Sequence, residues 1–108
     1  ILERFDFGGT RISSAGGKYR LCWCAGGENC TTSGAFRVDL GGIALLGPAP
    51  LAQDRTCVSG QPCKLRSLRG VELNSQDVAM VLDTCGGVAL PDPMVPRFTS
   101  DGIGAADA

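Results

Sequence analysis

The residues best placed to do chemistry in this chain are its six cysteines, since it contains no histidine. Without histidine, a serine or cysteine lacks the base that usually activates it as a nucleophile. A thiol oxidoreductase carries Cys-x-x-Cys at a helix start, whereas Cys22 and Cys24 flank Trp23 in a Cys-x-Cys stretch. We therefore expect the cysteines to be structural and the protein not to be an enzyme.

Zinc binding is the main alternative use for these cysteines. Structural zinc sites favour cysteine pairs with two to four intervening residues, often together with histidine. The spacings here differ: C-x-C at 22 and 24, C-x₅-C at 24 and 30 and at 57 and 63, and a lone Cys85. An even cysteine count in a small chain with 16 glycines favours disulfides and a secreted, extracellular protein. No metal or other cofactor is expected.

Length and charge narrow the class of protein further. The chain has 108 residues, the size of one ordinary domain, and a net charge of −1. This charge offers no attraction to nucleic acid or to an anionic membrane. No apolar run approaches the roughly 20 residues that a membrane span needs. The first residues show neither a signal peptide nor an initiator Met, so we expect a processed product or a segment of something larger.

Alternating side chains predict short strands between the many glycine pairs. Residues 18–25 form the clearest one, with Tyr19, Leu21 and Trp23 on one face and the two cysteines on the other. Residues 11–13 form a weaker one. If the cysteines face a core, the three apolar side chains point outward and form an anchor for a neighbouring domain or subunit. Alternatively, another part of the same domain covers them, or the core lies on their side.

A β-bulge is predicted in the next strand. In residues 36–40 the even positions are apolar, but after Gly41 and Gly42 the apolar positions are Ile43 and Leu45. Inserting one extra residue at the glycines would correct this shift of parity.

Residues 77–85 are apolar on both faces, which suits a central strand. A helix capped by Ser75 is the competing interpretation, but the run is short and ends in Thr-Cys-Gly-Gly. The proline-rich residues 91–96 predict an extended connector. Many short strands with Gly and Pro turns together favour an all-β, disulfide-stapled sandwich of the immunoglobulin-like type.

The short cysteine loops suggest their own pairings. Cys22 and Cys24 are separated by roughly 6.6 Å along one face of a strand and do not lean toward each other, so a bond between them is not expected. Cys24 and Cys30 bracket a turn that can bring them together, and so do Cys57 and Cys63.

Cys22 and Cys85 remain, one from each of two strong predicted strands. A bond between them would staple two sheets through the core. In the chain-entropy model this long loop stabilises the fold by about 4.3 kcal/mol, compared with about 2.4 kcal/mol for a seven-residue loop.

Asn29-Cys30-Thr31 is an N-glycosylation sequon, so Asn29 is a predicted glycan attachment site in a secreted chain. The alternative is that the sequon occurs by chance. A disulfide at Cys30 could also hinder the modification.

Two stretches, YRLCWC at 19–24 and QDRTCVSGQPC at 53–63, carry a resemblance. They resemble the tandem Ig-like (IPT/TIG-like) Cys-rich modules of very large secreted proteins from flagellated single-celled eukaryotes. The best-characterised relatives of that type build mastigonemes, the hair-like filaments on flagella. The similarity covers about residues 5–90.

The resemblance implies how the residues of one repeat are divided between successive sandwiches. The 108 residues would be one repeat unit, in which 1–47 close one sandwich, 48–90 open the next, and 91–108 form a connector. Cys22 would then bond the Cys85 of a preceding copy. A self-contained domain with an internal Cys22–Cys85 bridge remains the alternative.

The function implied is that of a structural building block of an extracellular filament or surface coat, flagellar or cell-surface, repeated in tandem and held by disulfides. Its partners would be copies of itself or adjacent repeats, together with glycans. An extracellular adhesion or carbohydrate-binding module is the second hypothesis, and it needs exposed aromatic side chains or a calcium cluster.

Overall fold

The computed structural model describes residues 1–86 and 95–106, and its regular structure consists of short strands. These strands are β1 (Gly17–Trp23), β2 (Val38–Leu45), β3 (Gly47–Pro48), β4 (Gly70–Val71), β5 (Val78–Met80) and β6 (Ile103–Ala105). They pair as three antiparallel two-stranded sheets, β1–β2, β3–β4 and β5–β6. Two 3₁₀ turns lie at Ser33–Ala35 and Thr99–Gly102, and the described ranges contain no α-helix. The fold is all-β, as predicted, but these sheets do not form a closed sandwich.

The β1–β2 hairpin contains the predicted bulge. Leu21 lies opposite Gly41 while Cys22 lies opposite Asp39, so Leu40 is the extra residue. Gly41 has φ +112°, a left-handed conformation that glycine adopts without the steric cost a side chain brings. The bulge is therefore confirmed at the position where the apolar parity changes.

The bulge gives the hairpin one continuous apolar side. Trp23 lies opposite Val38 and Tyr19 lies opposite Ile43, and residues directly opposite share a face of the sheet. Without the extra residue, Val38 and Ile43 would lie on opposite faces. We call this side the apolar face, and its members are Tyr19, Leu21, Trp23, Val38, Ile43 and Leu45.

Residues 49–69 form a long arm that leaves the β3–β4 sheet and returns to it. At the base of the arm, the Ala49 amide donates to the Arg69 carbonyl at 3.0 Å. The Gln53 side chain then bonds the same residue twice: Nε2 donates to the Arg69 carbonyl (2.8 Å), and Oε1 accepts from the Arg69 amide (2.9 Å). A side-chain amide thus takes the place of a backbone strand partner.

The chain divides into two units, Ile1–Glu72 (unit 1) and Leu73–Ala108 (unit 2). The Gly16 amide donates to the Pro48 carbonyl at 2.9 Å and β3 pairs with β4, so residues 48–71 belong with unit 1. The predicted halves 1–47 and 48–90 concern how successive repeats complete one another's sandwiches, and they stay a prediction.

Unit 2 contains the β5–β6 sheet, in which Val78 lies opposite Ala105. The strand interpretation of residues 77–85 is confirmed over Val78–Met80. Residues 74–77 form a turn instead of a capped helix, since the Gln76 amide donates to Asn74 Oδ1 at 2.8 Å.

The structure also differs from two further predictions, the connector at 91–108 and the weak strand at 11–13. Ile103–Ala105 pairs with β5, so this part of the connector belongs to a sheet. Residues 91–94 lie outside the described residues. Residues 11–13 form no strand, because such a short run offers little apolar surface to bury.

No hydrophobic side chain is buried anywhere in the described ranges, where the buried residues are Gly16 and Gly102. A core built between two sheets was expected. The physical reason for its absence is that each sheet is two strands wide and forms a single layer, and a sheet of that width is at best marginally stable alone.

Replacing Gly16 with alanine should destabilise unit 1. A Cβ at this position would meet the carbonyl oxygen and carbon of Gly47, and a backbone cannot move aside as a flexible side chain can. We expect Gly16→Ala to cost about 1–3 kcal/mol, the usual range for overpacking, measured by urea unfolding followed through Trp23 fluorescence.

Gly9→Ala is the matched control, because a Cβ at Gly9 would meet no atom within 4 Å. Equal stabilities of the two variants would contradict the close approach of Gly16 to Gly47.

Candidate functional site

Two short disulfides close the loops in which they were predicted. Cys24 and Cys30 are bonded with their Cα atoms 6.1 Å apart, and Cys57 and Cys63 are bonded at 5.6 Å. In each bond the two cysteines are six positions apart in sequence. They pin local turns and do not tie distant parts of the chain together.

Cys22 and Cys85 are both unbonded and exposed. Cys22 lies opposite Asp39, on the charged side of the hairpin and away from the apolar face. The structure shows no internal Cys22–Cys85 staple, since both thiols are unbonded. A Cys22–Cys85 bond between copies stays a prediction.

The charged side of the hairpin is organised by one ion pair. Arg20 Nη2 and Nε donate to Asp39 Oδ2 at 2.7 Å and 3.2 Å, and the Gly41 amide donates to Asp39 Oδ1 at 2.8 Å. The hydrogen bond from Arg20, followed by that from Gly41, lowers the pKa of Asp39 below its ordinary value. Asp39 thus links the charged face to the bulge, although the side chains of Arg20 and Asp39 are 63% and 57% exposed.

A shallow, open groove lies beside this pair and is lined by Lys18, Arg20, Gly42, Ile43 and Ala44. Its polar side chains are the two cations, Lys18 and Arg20, and no carboxylate is among the lining residues. The groove could therefore attract an anion.

The predicted interface residues lie on the apolar face and remain open to solvent. Tyr19 is 43% exposed and Trp23 is 40% exposed, while Leu21 is half-buried. The Tyr19 hydroxyl donates to the Ala15 carbonyl at 2.6 Å, which fixes the ring against the start of β1. An ordered aromatic and aliphatic surface of this kind suits burial against a partner.

The arm at residues 49–69 is the feature that sequence analysis missed. Arg55 Nη2 donates to the Ser67 carbonyl at 3.2 Å across the arm, and the Cys57–Cys63 bond closes its tip. Residues 54–69 are all exposed. The available signal was charge: four of the ten basic residues lie between 55 and 69, and no acidic residue lies among them. We call residues 49–69 the basic arm.

Asn29 is exposed in the loop closed by the Cys24–Cys30 bond. The Thr31 hydroxyl donates to Asn29 Oδ1 at 2.8 Å, so both ends of the sequon lie together at the surface. Glycosylation of Asn29 stays a prediction, and this accessible position is compatible with it.

Two further features are absent from the described part of the chain. Residues 1–86 and 95–106 contain no cluster of three or more side chains suited to holding a metal ion. The same ranges contain no helix with the length and apolar character needed to cross a bilayer.

Comparison of the chain with protein-family models, with curated proteins and with solved structures finds no match. The resemblance carried by YRLCWC and QDRTCVSGQPC therefore stays an expectation.

Alkylation of the unreduced, monomeric chain with iodoacetamide should label two cysteines and spare four. The expected sites are Cys22 and Cys85, because the other cysteines are held in disulfides. Peptide mapping by mass spectrometry reads out the labelled positions. Label at Cys24 or Cys57 would contradict the local bridges.

The Arg20–Asp39 pair should lose its contribution to hairpin stability in acid. Because the folded-state pKa of Asp39 is lowered, its contribution is fully present above the unfolded-state pKa and is lost as the pH falls through the folded-state pKa. Carboxyl ¹³C shifts measured against pH should place the midpoint of Asp39 below that of an aspartate without such hydrogen bonds.

Asp39→Asn is the control, since it removes the charge and keeps an oxygen that can accept from Gly41. This variant should lack that acid-dependent loss. A midpoint for Asp39 at or above the ordinary value would show that the pair does not form.

Proposed function

We propose that the chain is a structural building block of an extracellular filament or surface coat, and that neighbouring copies or repeats complete its immunoglobulin-like sandwich. The observation that carries the proposal is the ordered, one-sided hairpin whose apolar face is left open. A second layer packed on this face would supply the hydrophobic burial that the separate sheets lack.

The apolar face supports this proposal through its composition. Tyr19, Trp23 and Val38 are each more than one-third exposed, and they lie in one contiguous stripe. Contiguous exposed apolar surface on a folded protein marks an interaction site more often than chance exposure does. Tyr and Trp are also the residue types enriched at the centres of interfaces.

The unpaired thiols support a covalent link between copies. Cys22 lies in unit 1 and Cys85 lies in unit 2, so a bond from Cys22 of one copy to Cys85 of the preceding copy joins unlike surfaces. Contacts between unlike surfaces propagate from copy to copy and generate open filaments when the rotation between copies does not close a ring. Such a link would suit the oxidising, extracellular setting inferred from the disulfides.

The adhesion or carbohydrate-binding hypothesis is favoured by the same exposed aromatic rings, on which a sugar could stack. It predicts a monodisperse monomer that binds glycans. Filament formation and glycan binding by a monomer are therefore the two outcomes to be separated.

Incubation of the full chain in a buffer of reduced and oxidised glutathione should produce a ladder of covalent oligomers. Each bond forms when a Cys22 thiolate attacks a disulfide of glutathione and the Cys85 thiolate of another copy displaces glutathione from the mixed disulfide. The two thiols are oxidised and one glutathione disulfide is reduced. Non-reducing electrophoresis reads out the ladder, and negative-stain electron microscopy reads out filaments.

Variants that lack one of the two unbonded cysteines test whether the link joins Cys22 to Cys85. Cys22→Ser and Cys85→Ser should each abolish oligomers beyond the dimer, whereas an equal mixture should form a Cys22–Cys85 dimer that grows no further. The double variant Cys24→Ser/Cys30→Ser is the control and should retain the ladder. A chain that stays monomeric, with or without an internal Cys22–Cys85 bond, would overturn the building-block function, and glycan-array binding by that monomer would assign the alternative.

A further inference from the structure

The two units of the chain carry opposite charge. Unit 1 has nine basic and six acidic side chains, a net charge of +3, and unit 2 has one basic and five acidic side chains, a net charge of −4. The near-neutral total of −1 conceals this separation. Two surfaces of opposite and similar net charge attract each other and steer their own encounter.

The positive charge of unit 1 is concentrated in the basic arm. Residues 49–69 contain four basic side chains and one acidic side chain, Asp54, and so account for the whole +3. The remainder of unit 1 is balanced, with five basic and five acidic residues. The four basic side chains are all exposed, and they are Arg55, Lys64, Arg66 and Arg69.

The arm holds these cations in a defined conformation. Gln53 bonds the backbone of Arg69 at the base, Arg55 bonds the Ser67 carbonyl midway, and a disulfide closes the tip. Within the described residues the ion pair formed is Arg20–Asp39, so the cations of the arm have no carboxylate partner there. Ordering the arm in advance reduces the entropy lost when a partner binds.

Unit 2 presents the complementary charge. Its aspartates in the described ranges, Asp77, Asp83 and Asp101, are all exposed, and Arg97 is its one basic residue. A partner for the basic arm is therefore encoded in the same chain.

We propose that the basic arm of one copy docks on unit 2 of the preceding copy. The proposal rests on the building-block function and names the surfaces that bring copies together before any covalent bond forms. The arm lies in the same unit as Cys22 and its acidic partner lies in the same unit as Cys85, so head-to-tail docking favours bonds between these two cysteines over bonds between like cysteines.

The docking is tested without the covalent bond, in the Cys22→Ser/Cys85→Ser double variant of the full chain. Sedimentation velocity in about 0.1 M salt should detect self-association, and this association should weaken at least about tenfold in about 1 M salt. The reason is that the Debye screening length falls from about 10 Å to about 3 Å between these salt concentrations. In this background, Lys64→Glu/Arg66→Glu reverses two arm charges whose side chains make no hydrogen bond within the described residues. This arm variant should weaken self-association about a hundredfold, since like charges are then juxtaposed.

Asp83→Lys/Asp101→Lys brings the net charge of unit 2 from −4 to 0, and alone it should weaken self-association because the arm then meets no net opposite charge. An equal mixture of the arm variant and the unit-2 variant should associate again, because the unchanged basic arm of one variant can dock on the unchanged unit 2 of the other. Recovery in the mixture also shows that both variants are folded.

Arg4→Glu/Arg11→Glu is the matched control, because it changes the net charge of unit 1 equally but lies outside the arm. We expect it to weaken association by less than about fivefold. Association by the arm variant at wild-type strength, or no recovery in the mixture, overturns the docking. A double-cysteine variant that stays monomeric and binds heparin would do the same, and would assign the arm to an anionic glycan.

The two proposals can fail separately. A glutathione-dependent ladder that persists unchanged in the arm variant with its cysteines intact would retain the building-block function and reject the docking. Charge-dependent association without any ladder would retain the docking and reject the covalent Cys22–Cys85 link between copies.

Discussion

Each sheet in the described part of this chain is a single layer, two strands wide, and this limit governs everything else about the molecule. A sheet buries its apolar side only when a second layer covers it, and here no hydrophobic side chain among the described residues is buried. Order comes instead from individual contacts: the bulge at Gly41, the Arg20–Asp39 pair, the Gln53 amide and two short disulfides. Each of these fixes the course of the chain without building a core.

The features that sequence could predict are local. The change of apolar parity across Gly41 located the bulge, and the turns flanked by Cys24 and Cys30 and by Cys57 and Cys63 indicated their own bonds. These predictions work because neighbouring residues alone decide strand period and loop closure.

What sequence missed depends on distant partners. Ile103–Ala105 is weakly patterned and becomes a strand only because β5 lies beside it. Gln53 looks like an ordinary polar loop residue until its amide meets the backbone of Arg69, sixteen positions away. The covering layer expected over Tyr19 and Trp23 was likewise a non-local feature, and it is this layer that the building-block proposal assigns to a neighbouring copy.

The short span of both disulfides has a mechanical consequence. Each bond hides only a five-residue loop from a pulling force, so tension between Cys22 and Cys85 would pass through nearly all of the intervening backbone. That path could lengthen to roughly 190 Å before any covalent bond is stretched, at about 3.3–3.6 Å per residue. A fibre joined through these cysteines would therefore behave as an extensible tether, whose resistance to small loads comes from non-covalent contacts between subunits.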